Sequence, residues 1–349
     1  MWSGLFNPFY TIKGGLSMNT QVNNIKTATG TRKKTTLKSL RRKKYIWAYI
    51  FIFPQLLFYV GFTLYPMVMS YVYVFFHWDG IGPLSDFVGL GNFISIVHDK
   101  VFWGSVAHGF IYMGGLVVIV MPCSFVLAFL LNSSLLHGKT LFRTIYFIPV
   151  VSVTAIMGVV MKLIFGSGKS LFNNLLIHLG IIDHAIPWLQ NSVSAMIILI
   201  CVGSWIAMGT TMIYWLAALQ TIPNDVYESA KIDGAGPFKT FRYITIPLIL
   251  PSAAVILLLT IVHGFNVFDL AKTLTDGGPY YATTTVDLYI YDLVFGNFSP
   301  RIGYASAAGI IFGLMSFIIT TSLVLFGNIV RNRINGKKMD KNGIRKVRI

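Results

Sequence analysis

The chain is built from long apolar runs separated by short polar ones. A helix needs about 20 apolar residues to cross a bilayer. Six runs meet that requirement, at roughly 46–76, 105–131, 144–165, 193–219, 246–271 and 303–330. The pattern predicts an all-α membrane bundle of six spans occupying 45–330, with a basic tail at 1–44 and another at 331–349. Pro54, Pro66 and Pro149 lie inside the first and third runs, and Pro247 and Pro251 open the fifth. Helices kinked by proline are tolerated in lipid where neighbouring helices satisfy the freed carbonyls, so a bundle is favoured over isolated anchors. No tandem repeat is visible, and the spans are too uneven to suggest an inverted repeat.

Composition agrees with this picture. Hydrophobic residues are 55% of the 349 and charged residues 11%, and mean hydropathy is +0.68. A soluble domain of this size cannot solvate such a surface. The net charge of +16 invites a nucleic-acid reading, which its distribution excludes. Ten Lys/Arg lie in 1–44, eight in 331–349, two in 133–143 and three in 220–245, together 23 of 28. Loops assigned to the opposite side carry only Lys100, Lys169, Lys272 and Arg301, with Lys162 near the outer end of the third span. This is the positive-inside bias, and it predicts cytoplasmic termini. No groove-reading motif accompanies the charge, so no nucleic-acid partner is expected. The first apolar run is too long for a secretory signal, and Met18 is an alternative start. Cys123 and Cys201 sit inside apolar runs and are expected to be buried structural thiols.

The least membrane-like stretch, 225–251, holds Glu228, the only glutamate in the chain. Asp225 and Glu228, three apart, have the form of a reciprocal N-terminal cap, predicting a helix from about 226 to 233. Gly234 is placed to stop it by adopting positive φ. Pro237 then suits the first turn of a second helix that leads through Phe241 and Ile244 into the membrane. Val226, Ile232, Ala235, Phe238 and Phe241 are expected to present an apolar face to a partner, with Glu228 as its one negative charge. A passive connector is the alternative, although such a connector needs far fewer residues.

Glu228-x-Ala230-x-x-Asp233-Gly234-Ala235, followed by Phe241, Ile244, Pro247 and Pro251, resembles the EAA loop of permease subunits of ATP-binding-cassette importers. Leu274-Thr275-Asp276-Gly277-Gly278-Pro279 with Thr283-Thr284, Gly303-Tyr304-Ala305-Ser306-Ala307, and Phe87-Val88-Gly89-Leu90-Gly91-Asn92-Phe93 are similar to the carbohydrate branch, in particular the larger membrane subunit of maltose-type systems. The likeness runs from about 45 to 330, and Ser229 departs from the usual alanine. The resemblance implies a type I importer bundle in a bacterial cell membrane, part of the pathway for a sugar or oligosaccharide. It implies a second permease subunit, two ATPase subunits and an extracytoplasmic solute-binding protein as partners. ATP and magnesium belong to the ATPase subunits, and no cofactor belongs to this chain. Glu228 is implied as the charged contact with the ATPase, Gly234 as the turn and Asp233 as its support. A glycerol-phosphate or polyol permease, or a stand-alone secondary sugar transporter or channel, are the alternatives.

Carried over by position, the resemblance places the substrate path at Gly203, Ala207, Thr210, Thr260, Gly264 and Val267. Thr260, His263, Gly264 and Val267 also share one helical face by spacing. Maltose-type relatives have tyrosine and asparagine among these positions. The smaller side chains here imply a roomier pocket for a larger or differently contacted oligosaccharide, or else close helix packing. Gly168-Lys169-Ser170 fails as a phosphate loop, because position 163 is Leu163 rather than glycine. His108, His263 and Asp269 are ionisable groups in or near spans, read as a packing histidine, a path residue and a water-facing carboxylate. No cluster has metal-ligand spacing and no nucleophile has a base partner, so no enzymatic role is expected.

Overall fold

A computed structural model describes residues 37–133, 136–166, 170–296 and 299–341. Gly168 and Lys169 of the phosphate-loop-like triplet, most of the N-terminal basic tail and the last eight residues lie outside these. Ser170 is described, and its hydroxyl caps helix Leu171–His178 by accepting from the Asn173 amide. The chain divides into two compact units, Met1–Pro66 and Met67–Ile349.

The first unit contains α1 (Leu37–Tyr59), with Pro54 inside it, and a π-helical turn at Val60–Leu64. α2 (Tyr65–Tyr73) begins at the boundary and continues into the second unit. There follow α3 (Gly91–Val97), α4 (Lys100–Asn132), α5 (Lys139–Val151), α6 (Thr154–Phe165), α7 (Leu171–His178) and α8 (Ser192–Gln220). The remaining helices are α9 (Asn224–Ile232), α10 (Pro237–Thr240), α11 (Ile246–Gly264), α12 (Phe268–Leu274), α13 (Val286–Tyr291) and α14 (Ile302–Lys341). Among the described residues five helical stretches are long and apolar enough to cross a membrane: Tyr45–Tyr73, Lys100–Asn132, Ser192–Gln220, Pro237–Gly264 and Ile302–Leu325. The third expected span is a pair, α5 and α6, bent by 95°.

The prolines act as their chemistry requires. A proline lacks the amide hydrogen and its ring clashes with the carbonyl four residues back, which favours a wider turn. The π turn Val60–Leu64 stands immediately before Tyr65-Pro66, and a second, Phe241–Thr245, before Ile246-Pro247. Pro149 lies in the last turn of α5, and the bend follows it at Ser152-Val153, where the Ser152 hydroxyl donates to the Ile148 carbonyl. The fifth run is shorter than its hydropathy suggests. Its helix ends at Gly264, and 268–274 forms the separate α12. Val267 therefore lies beyond the helix, and it does not share a helical face with Thr260, His263 and Gly264.

The most extensive helix pair is α4 with α8, and α12 packs on α6 next. Tyr112, Leu116 and Val120 of α4 meet Leu199, Val202 and Ala207 of α8 in one buried cluster that also takes in Leu270, Ala271 and Leu274 of α12. Small residues permit this approach: a side chain at Gly203 would strike the Tyr112 hydroxyl. Cys123 and Cys201 are exposed rather than buried. In lipid an apolar outer surface incurs no solvation cost, so an apolar run does not imply that its members are buried in protein.

The helix ends around Asp99 are joined by polar contacts. The Asn92 amide donates to the carbonyls of Val74 at 2.8 Å and Phe76 at 3.0 Å, holding α3 against the segment after α2. Asp99 caps α4 by accepting from the amides of Val101 at 2.8 Å and Phe102 at 3.3 Å. Its second oxygen accepts from the hydroxyls of Tyr289 and Tyr304, each at 2.6 Å, so one carboxylate ties α4 to α13 and α14. Burial pushes this carboxyl up, but the two hydroxyls and two amides together outweigh burial and hold it below its ordinary 3.8. Burial, followed by the bond to Asp99, raises the Tyr289 hydroxyl.

Asp99→Ala is expected to lower thermal stability in detergent by at least about 2 kcal/mol, through loss of an N-cap and of a charged acceptor for two hydroxyls. The folded carboxyl titrates below the unfolded one, so its contribution is present above pH 3.8 and lost as pH falls through the folded value. The stability gap between wild type and Asp99→Asn should therefore close on acidification.

Candidate functional site

The elbow is built by backbone hydrogen bonds. α9 ends in a Schellman turn: the Ala235 amide donates to Ala230 at 2.9 Å, and the Gly234 amide donates to Lys231 at 3.1 Å. Gly234 has φ +73°, a conformation a β-branched side chain resists. The N-terminal end differs from expectation. Pro223 is the capping residue, no side chain caps the helix, and Asp225 lies in the first turn instead. Pro223 fixes an extended entry while the Ser229 hydroxyl bonds to the Asp225 carbonyl, so the Asp225–Glu228 box does not form.

One face of the elbow is held and the other is open. Ala230 is buried, and Val226 and Tyr227 pack on a cluster of Leu131, Trp215, Leu219 and Ile222. The Tyr227 hydroxyl lies 3.3 Å from that of Thr245. Phe241 turns inward, with ring centroids 6.1 Å from Phe125 and 5.2 Å from Phe129 on α4. Val226 and Phe241 thus belong to the inner face, whereas Ile232 and Phe238 do not. Ile232 is 86% exposed and Phe238 77%. Glu228 and Asp233 are also exposed, and among the described residues the Glu228 carboxylate has no ion-pair partner. Ala235 and Ile244 are half-buried and Pro247 is exposed.

A second feature lies deeper in the bundle, between α5, α8 and α11. It is a cavity of about 370 Å³ lined by Val150, Thr154, Ile206, Ala207, Thr210, Thr211, Tyr214, Leu259, Thr260, Val262, His263 and Asn266. Of the sequence-predicted path residues, Ala207, Thr210, Thr260 and His263 come together here. Gly203, Gly264 and Val267 do not. Gly203 faces Tyr112, a side chain at Gly264 would lie 2.9 Å from Met113, and Val267 is buried in the core. These three lie in packing contacts between elements and not on the wall of this cavity. Thr154, Thr211, Tyr214 and Asn266 were missed because they lie on a bent helix pair, one helical turn away, or past a helix end. His108 is a packing residue, 3.3 Å from the Thr284 carbonyl, and Asp269 is exposed.

A third, more polar cavity of about 470 Å³ opens at the other end of the bundle, beside Asp99. Lys272 bridges Asp276 at 2.7 Å and Asp292 at 3.4 Å, and Arg301 lies over the Tyr304 ring at 4.0 Å. The bond to Asp276, with the charge of Asp292, raises the Lys272 ammonium despite some burial. Only the i, i+4 spacing of Lys272 and Asp276 announces this cluster in the sequence. Beside it the 275–285 loop is held by threonines: the Thr283 hydroxyl donates to Gly278 at 2.8 Å and that of Thr284 to Gly277 at 3.1 Å. Among the described residues no group of three metal-ligating side chains exists.

Gly264→Trp and Val267→Trp are expected to reduce the yield of monodisperse protein in size-exclusion chromatography, whereas Thr210→Trp, on the cavity wall, should leave the profile unchanged.

Residues 121–336 match the family model described as binding-protein-dependent transport system inner membrane component. A lactose transport system permease protein, LacF, of Rhizobium radiobacter is 33% identical over 288 residues, covering 82% of this chain and 95% of that one. An arabinooligosaccharides transport system permease protein, AraP, of Bacillus subtilis is 31% identical, covering 79% and 86%. An sn-glycerol-3-phosphate transport system permease protein, UgpA, of Yersinia enterocolitica is 31% identical, covering 80% and 92%. A chain of the crystal structure of a bacterial ABC transporter involved in the import of the acidic polysaccharide alginate shares the fold, with TM-score 0.70 and 24% identity, covering 85% and 98%. The family match covers well over half of the chain and takes in both the elbow and the cavity, so this protein belongs to the inner membrane components of binding-protein-dependent transport systems.

Proposed function

We propose that this chain forms half of the translocation pathway of an ATP-driven importer of sugars or oligosaccharides, and that ATPase subunits drive it through the elbow at 224–247. The observation that carries this reading is the two-sided elbow. Ala230, Tyr227 and Phe241 anchor it to the bundle, while Ile232, Phe238 and Glu228 stand in solvent. A passive connector has no reason to hold two bulky apolar side chains out of a fold that has apolar surface beside them. Both the elbow and the basic tails lie on the side assigned to the cytoplasm by the charge bias.

The mechanism follows from rigidity. The Schellman turn fixes α9 against α10, and Phe241 wedges between Phe125 and Phe129 of α4. Motion imposed on the exposed face is passed to α4 and α11, and α11 carries Thr260 and His263 of the cavity. ATP and magnesium would be bound by the partner subunits. A second permease subunit would complete the pathway, and an extracytoplasmic binding protein would deliver substrate at the polar outer end. The alternative of a transporter working alone predicts sugar flux through the purified chain in liposomes without any ATPase.

Glu228→Lys and Gly234→Val, made in the assembled transporter, are expected to cut sugar-stimulated ATP hydrolysis by about tenfold or more, since each removes a contact or turn of about 1.4 kcal/mol or greater. Subunit assembly in the membrane should persist for Glu228→Lys. Full stimulation in both variants would reduce the elbow to a connector.

A further inference from the structure

From the cavity chemistry we infer that the transported sugar carries no charge. The inference rests on the importer reading above and narrows it. Relatives at nearly equal identity have names that span neutral sugars and a phosphate ester: lactose at 33%, arabinooligosaccharides at 31% and sn-glycerol-3-phosphate at 31%. Overall similarity therefore does not choose among them, whereas the wall of the cavity does.

The cavity sets polar side chains among apolar ones, with no lysine, arginine or carboxylate. Its polar side chains are the hydroxyls of Thr154, Thr210, Thr211, Tyr214 and Thr260, the His263 ring and the Asn266 amide. Hydroxyls and an amide donate and accept equally, which matches the hydroxyls of a sugar. A phosphate or uronate needs cationic or convergent amide donors to offset its lost hydration. At membrane depth that loss is largest, because no bulk water remains to compensate. A charged substrate would meet apolar walls from Val150, Ile206 and Leu259 here.

An independent observation at the outer end points the same way. The polar cavity there is lined by the carboxylates of Asp99, Asp276 and Asp292 against the cations Lys272 and Arg301, an excess of one negative charge. Lys272 is already held between two carboxylates. An anion arriving at this mouth is repelled, while a neutral sugar is not.

The test uses the complete transporter with its own binding protein in proteoliposomes, supplied with labelled neutral probes (lactose, arabinotriose, maltotriose, raffinose) and anionic probes (sn-glycerol-3-phosphate, alginate trisaccharide). A neutral probe should be taken up and stimulate ATP hydrolysis, with every anionic probe at background. Thr210→Lys, which sets a cation on the wall, should lower that uptake by at least about tenfold while the subunits still assemble. Uptake of an anionic probe by the wild type overturns the inference and leaves the importer reading standing. Unchanged neutral uptake in Thr210→Lys overturns the assignment to this cavity. Stimulation by no probe of either class overturns the importer reading, and this inference with it.

Discussion

Close packing of α4 against α8 is the contact on which the rest of the molecule depends. Tyr112, Leu116 and Val120 reach Leu199 and Val202 because Gly203 leaves room for the tyrosine hydroxyl. Lipid supplies no hydrophobic driving force between helices, so dispersion and shape must hold such a pair together. Each functional feature then extends from one of its two members. Asp99 caps α4 at its N-terminus, and Phe125 and Phe129 toward its other end receive Phe241 of the elbow. α8 turns Ala207, Thr210 and Tyr214 toward the cavity and runs at its C-terminus into the elbow helix. The elbow and the cavity are thus both joined to this one helix pair.

Polar groups are placed where the bilayer tolerates them. Charged side chains gather at the cavity beside Asp99 and at the elbow, and the cavity between them carries hydroxyls, a histidine and an amide among apolar side chains. Two of these hydroxyls bond to their own helix, Thr211 on the Ala207 carbonyl at 3.1 Å and Thr260 on Ile256 at 2.8 Å. A site of this kind exchanges one set of neutral hydrogen bonds for another, with small net energy per bond. That balance suits transport, because tight binding would hinder release.

Much of this was legible in the sequence. The first, second, fourth and sixth apolar runs overlap long helices closely, since a run of about 20 apolar residues has few other uses. The third is a bent pair, and the fifth helix starts and ends earlier than its run. The Gly234 turn was legible because few residues tolerate positive φ. Helix ends inside apolar sequence were not: the break at 265–267 carries no charge, and Asn266 is its only polar side chain within an apolar run. Val267 was misplaced for that reason. Gly203 and Gly264 illustrate a different limit, since a small residue at a helix contact and one lining a cavity read identically. The Asp225 cap failed because Pro223, two residues earlier, already sets an extended entry to the helix. Asp99, Tyr289 and Tyr304 join only through tertiary structure, and no local pattern links them.

The account centres on the exposed face of the elbow as the seat of the ATPase. Photo-crosslinking tests this most directly, with p-benzoylphenylalanine placed singly at positions 238 and 241 in the assembled transporter. Position 238 points to solvent and position 241 packs between Phe125 and Phe129. The account predicts a covalent adduct with the ATPase subunit from position 238 and none from 241. Absence of that adduct at position 238, in a complex that still hydrolyses ATP on sugar addition, would contradict it.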